Sequence, residues 1–138
     1  MTGENPPRRS GSPRPQKSWS PRSRRVVAAF IDACEQRDAH ALEKMLRRNV
    51  ELTIDSGGAI PIRNRASGRS DVTTLLLELI ASFPRLRLEP GEINGTPGIV
   101  LLSAQRVVGV LNAERRGGRA HQLWIVVNPD KLRHWNAM

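Results

Sequence analysis

The order in which two kinds of hydrophobic periodicity follow one another is the strongest constraint on the fold of this 138-residue chain. Helical spacing dominates the first part and is clearest from Val72 to Phe83, where apolar residues recur every three or four positions until Pro84 stops the helix. From Leu86 onward the pattern changes to strands separated by tight turns. Segregated helices and strands predict an α+β fold, with three helices packed on a curved, mostly antiparallel sheet.

Capping residues predict where the helices begin. Ser20 followed by Pro21 forms an N-cap and first-turn pair, and the helix that it starts is expected to run to about Asp38. Asp38 can cap a second, short helix, and Ser70 is the expected cap of the third. The first helix has a single apolar face, formed by Val26, Val27, Phe30, Ile31 and Cys34.

Glycine-containing turns separate the predicted strands. Residues 50–54 alternate with period two and predict a strand, which the glycine pair at 57–58 ends. Residues 60–62 are expected to return as a short edge strand. The Asn-Gly dipeptide at 94–95 predicts a type I′ hairpin turn, because both turn positions need a positive φ. The glycine pair at 117–118 predicts a second hairpin.

The composition predicts one globular domain in a reducing compartment. Hydrophobic residues make up 38% of the chain and charged residues 25%, as in ordinary globular proteins. The single cysteine, Cys34, cannot form an internal disulfide. No apolar run approaches the roughly 20 residues of a membrane span, and the N-terminus lacks the apolar segment of a secretory signal. We therefore expect a cytoplasmic protein with no membrane contact.

Residues 1–19 are predicted to be a disordered basic tail ahead of one domain at 20–138. The tail is rich in Pro, Arg and Ser, and Trp19 is its only large apolar residue, so little burial offsets its chain entropy. Within residues 1–25, seven cations against Glu4 leave +6 of the chain's formal +9. Any nucleic-acid contact is expected to be weak, non-specific and made by this tail. A solvated leader without a partner is the alternative.

Two short motifs carry a resemblance to a known family. Residues 128–132 are Asn-Pro-Asp-Lys-Leu and follow the fully apolar strand candidate 123–127, whereas residues 54–59 are Ile-Asp-Ser-Gly-Gly-Ala. They resemble the Asn-Pro-Asp-Lys-Leu ending and the Asp-Gly-Gly-Gly-Lys turn of SnoaL-like modules attached to certain extracytoplasmic-function sigma factors. Residues 89–95 and 106–111 also look like that group. The element order is similar to that of the nuclear-transport-factor-type cone fold.

The resemblance covers about residues 24–135 and implies a cone-shaped fold. It also implies regulation of transcription initiation through protein contacts, with RNA polymerase or a sigma factor as the partner. Two positions depart from the family turn: Ser56 stands where the family has glycine, and Ala59 where it has lysine. We find no sigma region upstream of residue 24, so the module is expected to act nearly alone. An inactive remnant of a truncated sigma factor is the alternative.

The two motifs supply the candidate residues for contact with a partner. These are Asp55, Gly57, Gly58, Asn128, Pro129, Asp130 and Lys131. A purely structural role explains the same residue types, because aspartate and paired glycines stabilise turns, and asparagine followed by proline begins a short helical turn. In the functional interpretation, Lys131 pairs with a carboxylate of the partner.

Cone folds enclose a cavity, so the resemblance leaves a second kind of function open. The chain would then be a small enzyme of isomerase, cyclase or hydrolase type, or a binding protein for a small apolar metabolite. Arg63, His121 and Trp124 are the candidate cavity residues. His121 shares a predicted strand face with Leu123 and Ile125, which is also typical of a partly buried structural histidine.

The sequence favours a non-catalytic protein over an enzyme. It contains no tyrosine, which excludes the tyrosine-assisted oxyanion site of ketosteroid isomerases. It shows no recognisable acid–base pair or nucleophile motif, so no catalytic residue is assigned. Cys34 and the three histidines lack the spacing of metal ligands, so no metal or cofactor is expected. The pattern does not distinguish a monomer from a dimer.

Overall fold

The computed structural model describes residues 19–136 and has the predicted α+β architecture. Its helices are α1 (Pro21–Glu35), α2 (Ala39–Lys44), α3 (Arg69–Ala81) and the short α4 (Arg133–Asn136). Its strands are β1 (Leu46–Asp55), β2 (Arg65–Ser67), β3 (Arg87–Ile93), β4 (Thr96–Ser103), β5 (Arg106–Arg116) and β6 (Arg119–Val126). A 3₁₀ turn (Pro129–Leu132) lies between β6 and α4. Within residues 19–136, no helix is long and apolar enough to cross a membrane.

The six strands form one curved sheet in the order β2-β1-β6-β5-β4-β3. Neighbouring strands from β3 to β6 pair antiparallel, as does β2 with β1, so the prediction of a mostly antiparallel sheet is confirmed. The exception is the parallel pairing of β1 with β6, the first and last strands within residues 19–136. Because parallel strands run in the same direction, this pairing places the C-terminal ends of β1 and β6 side by side.

The first two helices begin at their predicted caps. Ser20 Oγ accepts a hydrogen bond from the Ser23 N–H at 3.0 Å, and Pro21 occupies the first helical position. Asp38 Oδ1 accepts from the Ala41 N–H at 3.1 Å and caps α2. The predicted hairpin turns connect β3 to β4 and β5 to β6. The helix end was predicted too late, because α1 stops three residues before Asp38.

The predicted cap of α3 is wrong. The helix begins at Arg69, its N-cap is Gly68, and no side chain caps it. Gly68 has a φ of 88° and its N–H donates to the Val50 carbonyl at 2.8 Å. Glycine tolerates this left-handed conformation, so the chain turns directly from β2 into α3 while still bonded to β1.

The edge strand also lies later in the chain than predicted. Residues 60–62 form no strand, and β2 is the segment that pairs with β1, in the register Thr53 to Arg65. Pro61 lacks an N–H and cannot donate to a ladder, which disfavours pairing by its own segment. The chain instead reaches β1 at Asn64, whose carbonyl accepts from the Ile54 N–H at 2.8 Å.

One apolar core fills the space between the helices and the sheet. The helix α3 supplies its buried leucine face as predicted, with Leu76 2% exposed and Leu79 fully buried. Leu52 and Ile54 of β1 face the same core, as do residues 123 and 125 of β6. A second cluster lies apart from this core and is covered by Leu132 and Trp135. Its other members are Ile93, Val100, Leu102, Val107, Val110 and Val126.

Trp19, the last residue of the predicted tail, is buried against the described part of the chain. Its side chain is 6% exposed, and its carbonyl accepts from Arg24 Nη1 at 3.1 Å. The rest of the predicted tail, residues 1–18, lies outside the described residues.

Candidate functional site

The two sequence motifs are far apart in the chain but meet where β1 and β6 end. Asp55 is the last residue of β1, and Asn128 follows the end of its parallel neighbour β6. A main-chain hydrogen bond joins the two strand ends, because the Val127 N–H donates to the Asp55 carbonyl at 2.8 Å. We call the group the motif junction. It consists of Asp55, Gly57, Gly58, Asn128, Pro129, Asp130 and Lys131.

The carboxylate of Asp55 is the centre of the motif junction. Lys131 Nζ donates to its Oδ2 at 2.6 Å, and Asn128 Nδ2 donates to its Oδ1 at 3.3 Å. Asn128 Oδ1 in turn accepts from the Asp130 N–H at 3.1 Å, which caps the 3₁₀ turn. The predicted start of a short helical turn at Pro129 is correct. One carboxylate therefore contacts two residues of the C-terminal motif, Asn128 and Lys131.

The hydrogen bond from Lys131 lowers the pKa of Asp55; partial desolvation opposes this effect, and the weaker hydrogen bond from Asn128 adds to it. The ion pair nevertheless remains in contact with solvent, since the side chain of Lys131 is 64% exposed and that of Asp55 33%. Water screens such pairs, and each contributes about 0.2–1 kcal/mol. The pair therefore orients Lys131 more than it stabilises the domain.

The glycine turn packs against the other motif. Gly57 has a φ of 60°, and a Cβ at this position would lie 2.6 Å from Asn128 Cγ. Only a residue without a side chain allows Asn128 to approach so closely. Ser56, one of the two positions that differ from the resembled turn, accepts from the Gly58 N–H through its Oγ at 3.2 Å. This departure adds a hydrogen bond within the turn.

Trp124 lies on the outer face of the sheet and is not among the residues that line the cavity between α1 and the sheet. Residues 123 and 125 point into the core, so Trp124 points to the opposite face, where it is 40% exposed. In the register of the parallel pair, Trp124 is opposite Thr53 and Val126 is opposite Asp55. Trp124 therefore shares the outer face of the sheet with Asp55. In the register of the β1–β6 pair it lies two positions before Asp55.

Arg63 and His121, the other two predicted cavity residues, are also not among the residues that line the cavity between α1 and the sheet. Arg63 pairs with Asp71 at 3.1 Å, and each side chain is about half exposed, at 51% and 46%. This contact lowers the pKa of Asp71 and raises that of Arg63. His121 lies at a bulge between β5 and β6 and is partly buried, and its buried Nδ1 has no hydrogen-bond partner among residues 19–136.

A cavity of about 470 Å³ lies between α1 and the sheet. Its apolar wall consists mainly of Val26, Val27, Phe30, Met45, Ile99, Leu111 and Leu123. Four cations line it as well: Arg22, Lys44, Arg115 and Arg119. In the described part of the chain, its lining contains no Asp, Glu or His. These cations were not predicted as a site from the sequence, although three arginines flank the 117–118 turn.

Two further groups bear on the chemistry of the domain. Burial raises the pKa of the Cys34 thiol to about 12, so this cysteine is protonated at neutral pH and is not a nucleophile. Across residues 19–136, no three His, Cys, Asp or Glu side chains are grouped so that they could hold a metal ion. A ligand in the cavity would therefore contact mainly apolar side chains and the four cations.

Comparison with known proteins identifies the fold. No family model matches the chain, and no curated protein matches it. The extracytoplasmic-function sigma factor SigJ of Mycobacterium tuberculosis superposes with a TM-score of 0.64 at 23% identity over 83% of this chain. An NTF2-like protein of unknown function from Burkholderia pseudomallei gives 0.60 at 16% identity, covering 86% of this chain and all of that protein.

A SnoaL-like protein of unknown function from Burkholderia thailandensis superposes with a TM-score of 0.57 at 16% identity, covering 75% of this chain and 92% of that protein. The chain has the SnoaL-like, NTF2-like cone fold. The expectation from the two motifs is thereby confirmed at the level of the fold. The match to SigJ covers 46% of that sigma factor, so this chain corresponds to less than half of its length.

Proposed function

We propose that this cone domain is a non-catalytic module that regulates transcription initiation by docking on a sigma factor or on RNA polymerase. The docking surface is the motif junction together with Trp124. The observation that carries the proposal is the convergence of the two family-like motifs on Asp55, beside an exposed tryptophan. The similarity of the fold to part of a sigma factor agrees with this partner class.

Contacts within the domain itself hold the motif junction together. The Asp55 carboxylate holds Lys131 and Asn128, and Gly57 packs on the same asparagine. A preordered surface loses less conformational entropy when it binds, so more of the contact energy becomes affinity. The ammonium of Lys131 contacts Asp55 on one side and solvent on the other. A carboxylate of the partner can take the place of that solvent and form a second charge-assisted hydrogen bond.

Trp124 gives the surface an apolar anchor. Among residues 19–136 it is the exposed large hydrophobic side chain, at 40% exposure. Tryptophan is enriched among interface residues whose truncation costs more than 2 kcal/mol. A buried contact to Trp124, with the charged junction at its margin, is the usual anatomy of a specific protein interface.

The chemistry of the cavity favours binding over catalysis. General acid–base catalysis needs a side chain whose pKa lies near the working pH. The cavity lining offers lysine and arginine instead, and the Cys34 thiol is protonated at neutral pH. A regulatory module therefore accounts for these residues better than an isomerase, cyclase or hydrolase.

Binding measurements against separate sigma factors and RNA polymerase test the proposal. The full chain is compared with Trp124→Ala, Asp130→Ala and Lys131→Ala. Arg48→Ala is the matched control, because Arg48 is an exposed cation near the other end of β1. We expect Trp124→Ala to weaken binding at least thirtyfold, as truncation of an interface hot spot does. The two charge variants should weaken it a few fold.

Two results would reject the docking proposal. One is the absence of binding to every sigma factor and to the polymerase, which would favour a ligand-binding cone or an inactive remnant. The other is binding that all four variants leave unchanged, which would place the contact elsewhere on the chain. Circular dichroism of each variant confirms that the fold is intact before affinities are compared.

A further inference from the structure

The mouth of the cavity concentrates positive charge without a compensating carboxylate. Arg22 comes from the first turn of α1, Lys44 from the end of α2, and Arg115 and Arg119 from the β5–β6 hairpin. All four side chains are exposed, and none forms an ion pair with a residue of the 19–136 region. Like charges held together repel one another, and a bound anion relieves that repulsion.

The helix and the hairpin contact each other at this mouth. A Cβ at Gly118 would lie 2.8 Å from Arg22 Nη2, so the guanidinium lies directly against the turn. Arg47 Nη1 donates to the Arg116 carbonyl at 3.0 Å and ties the same hairpin to β1. Arg22 of α1 and the β5–β6 hairpin therefore lie next to each other at the mouth, and the hairpin is also bonded to β1.

Apolar side chains of α1 and of strands β4 to β6 form the wall behind this charged mouth. They leave a volume of about 470 Å³, within the range of small-molecule sites. A ligand that fills the site must match both parts, with an apolar body and a negatively charged group at one end. A neutral apolar metabolite, the ligand class expected from the fold, would leave the four cations unpaired.

We propose that this cavity binds a small amphipathic anion, such as an aromatic or aliphatic carboxylate. The apolar body lies between α1 and the sheet, and the anionic group lies among Arg22, Lys44, Arg115 and Arg119. A nucleic acid would use the same cations but would leave the apolar wall empty. The exposed tryptophan, on which a base could stack, lies on the opposite face of the sheet. The proposal does not depend on the docking function.

Titration with two matched probes tests the proposal. Naphthalene-2-carboxylate and naphthalene-2-carboxamide share one aromatic body and differ in charge. Amide chemical shifts of the full chain are followed by NMR. We expect the carboxylate to bind about tenfold more tightly than the amide, because its charge-assisted hydrogen bonds are the stronger ones. The largest shifts should fall on cavity residues such as Ala113, Ala120 and Leu123.

A double variant separates the cavity from the general positive charge of the chain. Arg22→Gln with Arg119→Gln removes two cations from the mouth. Arg48→Gln with Arg133→Gln removes two exposed cations that do not line the cavity. The first pair should reduce affinity for the carboxylate about tenfold and leave the amide unaffected, and the control pair should change neither by more than twofold.

Each contrary outcome overturns the proposal. Equal affinity for the two probes would remove the need for an anion. Equal loss in both double variants would indicate non-specific attraction. Shifts confined to residues outside the cavity would place the ligand elsewhere. A short DNA duplex that binds through Arg22 and Arg119, with no shift caused by the carboxylate, would make the mouth a nucleic-acid surface.

Discussion

At the scale of single residues, Asp55 joins parts of the chain that are 73 and 76 positions apart. Its two oxygens accept from Asn128 and Lys131, and its carbonyl accepts from Val127. Aspartate suits this position because a carboxylate accepts from several donors at once. The glycine turn that follows it is shaped by the same contact, since Gly57 lies against Asn128.

Alanine substitutions in the glycine pair should separate conformational strain from steric contact. Gly57→Ala introduces a Cβ within 2.6–2.7 Å of the Asn128 side chain, whereas Gly58→Ala places its Cβ in open space. Both positions have a positive φ, which costs a non-glycine residue about 1 kcal/mol. We expect Gly57→Ala to lower the free energy of unfolding at least twice as much as Gly58→Ala in urea titrations. Equal losses would mean that Asn128 moves aside freely.

The Asp55–Lys131 pair should stabilise the fold in a pH-dependent way. Because the pKa of Asp55 is lowered in the folded state, its contribution is present above the ordinary aspartate pKa and is lost as the pH falls through the folded value. Lys131→Met should therefore reduce the free energy of unfolding by about 0.2–1 kcal/mol near pH 6, and the difference should shrink below about pH 4.

The exposed Arg48 provides the control for this measurement, because it forms no ion pair within residues 19–136. Denaturant titrations at several pH values should give Arg48→Met a small effect that does not change with pH. A difference for Lys131→Met that persists unchanged at pH 2.5 would show that the lysine acts through its apolar stem and not through Asp55.

At the scale of elements, α3 is the helix whose role is clearest. It packs on β1 and buries five apolar side chains in the core. Its N-terminus lacks a side-chain cap, so its position depends on packing and on the Gly68 bond to Val50. Helical stability in proteins comes mostly from such tertiary packing of one face.

Truncation of that face should be costly. Leu76 is 2% exposed, so Leu76→Ala should lower the free energy of unfolding by about 2–5 kcal/mol. Leu77, the next residue, is only partly buried, and Leu77→Ala should cost clearly less. Urea midpoints at unchanged m-value provide the comparison. Similar midpoints for the two variants would mean that the helix is rotated from the orientation described here.

At the scale of the whole molecule, positive charge is divided between two regions. Residues 1–18 carry four cations and one glutamate, and the cavity mouth carries four cations of the folded domain. Non-specific DNA binding scales with the number of phosphates that a protein neutralises. The two regions can therefore be distinguished by removing one of them.

Deletion of residues 1–18 should weaken binding to duplex DNA at low salt. The slope of log K against log salt concentration should become shallower by up to about 3.6, since four cations are lost at about 0.9 each. Fluorescence anisotropy over a salt series gives this slope. The melting temperature should not change, because Trp19 and the Ser20 cap are retained. An unchanged slope would assign the contact to the domain, in particular to the cavity mouth.

Local interactions explain which features could be predicted from the sequence. Ser20, Asp38 and Asn128 cap the turns that follow them, and the 94–95 and 117–118 turns form the expected hairpins. Each of these features depends on residues within a few positions of one another, so the sequence determines it without the rest of the fold. The apolar face of α3 was predictable for the same reason.

The contacts between distant segments were decided by the tertiary structure alone. The parallel pairing of β1 with β6 brings Asp55 to Lys131, and the folded chain places Arg22 of α1 against Gly118, so that Arg22 and Arg119 line one cavity. A fully apolar strand does not indicate which face is buried, so Trp124 could be assigned only from its pairing. The motifs and the charged residues can be identified from short stretches of sequence. The site that they form depends on which strands become neighbours, and the strand order is the one that minimises the free energy of the whole core.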